Sequence, residues 1–244
     1  LRAFLLEIPE WLRVKNTEKE KQEEVNSSLK DRSLEKMKKK FKISKPKGKL
    51  GVLIPGIGGA VSTTFIAGIE SYKQGSGKLF GSLSQMGTIR IGKRTEKNTP
   101  YIKDLIDLAN VEDLEFFGWD VYPQDCYKAT VKAGVLDRTL IDSLKDKLER
   151  IKPNKAVFNK KFAENLTGKN IKKEKNYFKL ALELIAEIKA FTKEKNIDRL
   201  VMIWCGSTEI FFKKGKVHES IKSFEDALRK NHKGISPSMI YAYA

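Results

Sequence analysis

Residues 50–70 read LGVLIPGIGGAVSTTFIAGIE, a run uncharged as far as Glu70 that forces a strand, a turn and a helix into direct succession. Leu50, Val52, Leu53 and Ile54 make a short apolar segment bounded by turn residues, the pattern of a strand buried on both faces. Pro55 ends it, and Gly56, Gly58 and Gly59 follow. Phe65, Ile66 and Ile69 then recur at helical spacing. The first amides of such a helix have no partner inside it, and a terminus of that kind favours anions. A structural turn without a ligand is the alternative reading of the same glycines.

The same alternation continues along the chain. Leu79 and Phe80 suggest a short second strand, followed by a long loop rich in glycine and serine, and residues 101–108 suggest a short helix. LEFFGWDVY, residues 114–122, reads as a third buried strand ending near a carboxylate. Asp137 is expected to cap a helix that runs to Ile151, where Pro153 stops it. Residues 154–176 are polar and looped, with Ala156, Val157 and Phe158 as their apolar run. Phe178, Leu182, Ile185, Ile188 and Phe191 then recur at steps of three and four, an amphipathic helix leading into a strand at residues 200–204. Strands alternating with helices imply an α/β fold, Rossmann-like and doubly wound, with a mostly parallel sheet and right-handed crossovers.

Composition narrows the function classes. The 244 residues include 40% hydrophobic side chains, enough for a full core. The formal net charge is +17, but it is spread mainly as lysine mixed with glutamate. Its densest cluster, KMKKKFKISKPKGKL, contains one aromatic residue, Phe41, which leaves few platforms for stacking bases. A solvated arm is therefore favoured over a nucleic-acid or membrane-surface patch. Cys126 and Cys205 lie far apart without metal-ligand spacing, so neither a disulfide framework nor a metal site is expected, and a reducing compartment fits. No apolar run reaches the length of a membrane span. Both ends are expected to be cut from a longer protein. The chain opens on Leu1, and at its other end Ser236 as N-cap and Pro237 at the first helical position have only begun a helix.

In a doubly wound sheet, ligands bind beyond the carboxyl ends of the strands. Three clusters are expected there: PGIGGAVSTT, GWD and CGSTE. Gly56 and Gly58 match the first two glycines of a dinucleotide fingerprint, but Val61 stands where the third would be. No Gly-Lys-Ser or Gly-Lys-Thr follows, which removes the main support for phosphoryl transfer. Asp120 at a strand end suits ribose hydroxyls, or alternatively a helix cap. Cys205, Gly206, Ser207 and Thr208 are small enough to let a flat cofactor lie against backbone, or form an ordinary turn. Cys205 has no evident activating partner, and His218 and His232 are expected at the surface.

VLIPGIGGAVSTTFIAGIE, FGSLSQMGTIRIGKR, FGWDVYPQDCYKATVKAGVL, VMIWCGSTE and ISPSMIYAYA, in this order and spacing, closely resemble the inositol-3-phosphate synthase family, also called myo-inositol-1-phosphate synthase. The resemblance covers residues 50–244. It implies a cytoplasmic NAD enzyme of inositol and phospholipid biosynthesis, an isomerase and a homotetramer when full length, that converts glucose 6-phosphate into inositol phosphate without net redox change. Oxidation at C5 of the open-chain sugar acidifies C6, the C6 enolate attacks the C1 aldehyde, and the ketone is then reduced.

Carried over by position, the resemblance assigns Gly56, Gly58, Gly59, Ala60, Val61 and Ser62 to the pyrophosphate loop and Asp120 to the ribose. Cys205, Gly206, Ser207 and Thr208 fall beside the cofactor, where many members carry Thr-Ala-Asn-Thr. The family loop often reads Gly-Gly-Asn-Asn-Gly, so contacts from side-chain amides to phosphate are not implied here, whereas backbone amides remain. The catalytic residues, lysines in the family, are expected beyond Ala244. On this reading residues 1–49 are a basic, charged N-terminal arm. Residues 50–244 are a Rossmann-like NAD-binding domain, incomplete at its C-terminal end and truncated before the catalytic and tetramerisation domain. By itself it is expected to be inactive. The runner-up readings are another NAD-dependent oxidoreductase that releases its reduced cofactor, and a basic nucleic-acid-binding protein on a dinucleotide fold.

Overall fold

The first strand, β1 (Lys49–Pro55), is buried from Gly51 onward, as its uncharged sequence requires. In the computed structural model, which describes residues 47–244, it lies at the centre of the sheet with a parallel partner on either side. The arm expected over residues 1–49 lies outside the described residues except at its end, where Lys49 already belongs to β1.

Helix α1 (Ala60–Lys73) follows the glycine turn, and β2 (Leu114–Asp120) pairs with β1 along its length, Leu53 opposite Phe117. Next come α2 (Cys126–Ala133), α3 (Arg138–Ser143), α4 (Lys145–Leu148) and the two-residue strand β3 (Asn154–Lys155). The long α5 (Tyr177–Lys195) carries the chain back over the sheet into β4 (Ile197–Met202), and α6 (Ile221–Arg229) and α7 (Pro237–Tyr243) complete the order. The sheet is four-stranded, β3-β2-β1-β4, and every pairing is parallel.

The order decides where the cores sit. The crossovers from β1 to β2 and from β2 to β3 run one way across the sheet and the crossover from β3 to β4 runs back, which puts their helices on opposite faces when each is right-handed. One core joins Val52 and Ile54 to Ile66, Ala67, Cys126, Ile141 and Leu148 from α1 to α4. The other joins Leu53 and Trp119 to Leu184, Ile188 and Phe191 of α5 and to Ile240 and Tyr241 of α7. The alternation of Val52, Leu53 and Ile54 between these two cores is the period-two geometry of a strand.

Several expectations require correction. Leu79 and Phe80 form no strand: β1 and β2 pair directly and leave no slot between them, and Phe80 is 78% exposed. The residues between α1 and β2 hold instead a single helical turn at Leu83–Met86 and an antiparallel bridge between Thr88 and Tyr101. LEFFGWDVY is consequently the second strand of the sheet, and the helix expected at residues 101–108 shrinks to one 3-10 turn, Ile102–Asp104. Leu105 and Ile106 are exposed, so no buried face rewards a longer helix. Asp137 does cap a helix, accepting from the amides of Thr139 and Leu140, but the helix breaks at Leu144 and resumes as α4. The expected stripe of α5 holds in its second half, where Ile188 and Phe191 are buried, but in the first half Leu180, Ala181 and Leu184 are the buried residues and Leu182 is 49% exposed. The strand expected at residues 200–204 starts earlier, at Ile197, and ends at Met202. Ser236 and Pro237 start α7 as expected, with the Ser236 hydroxyl accepting from the amide of Met239.

Candidate functional site

The strand order reverses at β1, and a switch point of this kind leaves a crevice beyond the carboxyl ends of β1 and its neighbours. The glycine turn fills its floor. Gly56 has φ +86°, and a Cβ built on it would stand 2.6 Å from the carbonyl carbon of Cys205 and from the amide of Gly206. Only glycine satisfies both the left-handed conformation and that approach. The Gly56 amide donates to the carbonyl of Trp119 (2.7 Å), and the Cys205 amide donates to the carbonyl of Pro55 (2.9 Å). The turn is therefore fastened to the ends of β2 and of the segment after β4.

Asp120 fastens it a second time. Its Oδ2 accepts from the Gly58 amide at 2.9 Å, and its Oδ1 accepts from the Tyr122 amide at 3.0 Å. A Cβ on Gly58 would lie 3.1 Å from Oδ2, so the small residue permits this contact. Burial pushes the Asp120 carboxyl above its ordinary value, against the opposing pull of the backbone amides that donate to it. The helix-cap reading of Asp120 falls to another residue: Asp125 caps α2, accepting from the Lys128 amide.

Helix α1 starts at Ala60 with Gly59 as its cap, without a side-chain cap bond and without an acidic residue in its first turn. Such a start presents backbone N–H groups and the positive end of the helix dipole to a ligand. The Ser62 hydroxyl donates to the carbonyl of Gly56 (2.7 Å) and braces the turn from inside.

All three clusters meet around one cavity of about 360 Å³. Gly56, Gly58, Gly59, Ala60, Asp120, Cys205, Gly206 and Ser207 line it. Three expected residues do not: Val61 is 73% exposed, Ser62 is buried beneath the turn, and Thr208 faces solvent. The residues fit an NAD-like group. The turn admits close backbone approach, the helix start suits a pyrophosphate, and the carboxylate beside it suits ribose hydroxyls.

The remaining walls, apart from Trp119 of the GWD cluster, went unnoticed in the sequence. Trp119 forms part of one, and residues 156–159, after β3, form another. Trp204 and Tyr241 close the side towards α7, with ring centroids 5.8 Å apart. The AVF run at 156–158 was visible as an apolar patch in a polar loop, and Tyr241 lies within the ISPSMIYAYA block; neither showed a periodicity that would assign it to a site.

Comparison with known proteins shows the family and the fold. An NAD-binding family model described as Myo-inositol-1-phosphate synthase matches residues 50–244. The chain is 39% identical over 206 residues to Inositol-3-phosphate synthase 1 of Bacteroides thetaiotaomicron, covering 84% of this chain and 47% of that protein. It is 29% identical over 221 residues to Inositol-3-phosphate synthase of Trypanosoma brucei brucei, covering 84% and 42%. The crystal structure of inositol-3-phosphate synthase from Caenorhabditis elegans shares the fold, with a TM-score of 0.75 at 23% identity over 81% of this chain and 42% of that one. The chain thus spans less than half the length of these relatives.

Proposed function

This chain belongs to the myo-inositol-1-phosphate synthase family, and from that premise we propose that it is the cofactor-binding part of an enzyme converting D-glucose 6-phosphate into 1D-myo-inositol 3-phosphate. The observation that carries the reading is convergence. The glycine turn, Asp120 and residues 205–207 come from three separate segments and line one cavity at the reversal of strand order.

NAD, the cofactor of this family's domain, supplies the acceptor and then the donor for the redox change at the sugar's C5. The chain's own residues bind and orient it. Backbone amides at the start of α1 would face the pyrophosphate, and Asp120, already holding Gly58, has lone pairs left that would accept from ribose hydroxyls. Cys205, Gly206 and Ser207 give the cofactor a wall of small side chains. The enzyme is on this reading an isomerase, cytoplasmic and tetrameric, with residues 50–244 as its NAD-binding domain and residues 1–49 as a basic arm. Among the described residues no helix is long and apolar enough to cross a membrane.

The enolisation and aldol steps develop charge on sugar oxygens and need positioned cations or donors. Among the described residues Lys132 is the one lysine that lines the cavity, and it is exposed. The 244-residue protein is therefore expected to bind NAD without making product. The test is product formation from glucose 6-phosphate with NAD, assayed on this protein and again after addition of a family synthase whose own cofactor site has been inactivated. Turnover only in the mixture supports the reading. Release of NADH by the chain alone, without inositol phosphate, would assign it to an ordinary dehydrogenase instead.

A further inference from the structure

Trp119 is fully buried at the end of β2 and lines the cavity, so its indole N–H cannot turn to water. It donates to Oε2 of Glu187, on α5, at 2.6 Å. Glu187 does not itself line the cavity. Its other oxygen accepts from the ammonium of Lys172, whose side chain is only 5% exposed and which also lies 3.3 Å from Glu183. An indole bonded to a carboxylate is held by a charge-assisted bond, and the carboxylate in turn is neutralised by a buried cation.

The same unit reaches a second wall. The Lys172 amide donates to the carbonyl of Ala156 (2.9 Å), and Ala156 and Val157 line the cavity. The Val157 amide donates to the hydroxyl of Tyr241 (2.9 Å), whose ring lies 5.2 Å from that of Trp119. Two walls, one at the end of β2 and one just after β3, are thus tied to one carboxylate behind them.

We propose that Glu187 is a positioning residue for the cofactor cavity, setting the orientation of the Trp119 indole and, through Lys172, the seat of residues 156–157. The inference rests on the NAD reading above. Its test uses the 244-residue protein with two readouts: NAD affinity by calorimetry, and the indole N–H resonances of 15N-labelled tryptophan. The variants are Glu187→Gln, Glu187→Leu, Trp119→Phe and the Glu187→Leu/Trp119→Phe pair. Trp119→Phe identifies the Trp119 resonance among the three tryptophans. Glu187→Gln preserves size and one acceptor oxygen, so it reports even where Glu187→Leu fails to fold.

The Trp119 indole proton is expected to lie downfield in the wild type and to move upfield in Glu187→Gln, with NAD binding weakened several-fold. Glu187→Leu should weaken binding roughly tenfold, and most of that loss should vanish when Trp119 is already Phe, the non-additivity of residues that act through one another. A displaced indole resonance with unchanged NAD affinity overturns the proposal, as does a Glu187→Leu loss that stays equal in the Trp119→Phe background. A wild type that keeps the downfield resonance but binds no NAD marks failure of the functional reading, and the inference falls with it.

Discussion

Gly56 is where a single methyl group is expected to do most damage. Its left-handed backbone and the 2.6 Å approach of the Cys205 carbonyl leave no relaxation open to Gly56→Ala, which should cost about 2–4 kcal/mol in denaturant unfolding. Gly68, inside α1 with open space around it, is the control: Gly68→Ala should gain about 0.5–1 kcal/mol. Asp120 makes a pH prediction whose sign follows from burial. A carboxyl held above its ordinary value keeps its proton longer in the folded state. Its contribution to stability is then complete below the unfolded value of 3.8 and is lost as pH rises through the raised one. Relative to Asp120→Asn, the wild type should therefore lose stability over that window, while its NAD affinity rises as the carboxylate forms; matched unfolding and binding curves against pH check both. The two thiols should separate cleanly. Burial pushes Cys126 up to about 12, so it should resist alkylation until the protein unfolds, whereas Cys205 lines the cavity and should be labelled, with NAD protecting it. Mass spectrometry of labelled peptides reads this directly. At this scale the sequence was most legible where the physics is local: Asp137 and Ser236 are caps because of the residues that immediately follow them.

At the scale of elements, legibility tracked burial. β1 and β2 are interior strands with central apolar runs, LGVLIP and FFGW, and both were readable. The Leu79–Phe80 pair carried the same apolar signal but has no partner strand, since pairing is decided by residues far away in sequence. The α5 stripe was legible at Ile188 and Phe191 and misread in its first half, because Leu180 and Ala181 pack inward while the equally apolar Leu182 does not. β4 is the edge strand beyond β1, and it carries an anomaly. Nε and Nη2 of Arg199 are buried with no hydrogen-bond partner among the described residues. Desolvated donors without acceptors are costly. Arg199→Met, which keeps the apolar stem, is expected to raise the stability of the 244-residue protein by about 1–3 kcal/mol in chemical unfolding. An equal loss would show that the guanidinium has found an acceptor in solution.

For the whole molecule, the sheet order β3-β2-β1-β4 turns three sequence clusters into one cavity. The clusters themselves were legible because each combines a strand end with small or acidic residues. The other walls were not: residues 156–159 and Tyr241 are brought in by crossovers, and nothing local marks a residue whose neighbours lie across the fold. The central claim is that this cavity receives NAD through the glycine turn. Calorimetric titration of the 244-residue protein with NAD tests it most directly, beside Gly58→Val, which places a branched side chain against the Asp120 carboxylate, with folding of the variant verified by circular dichroism. Saturable one-to-one binding by the wild type that is lost in folded Gly58→Val is the expected result; absence of binding by the wild type, or equal affinity in the variant, would contradict it.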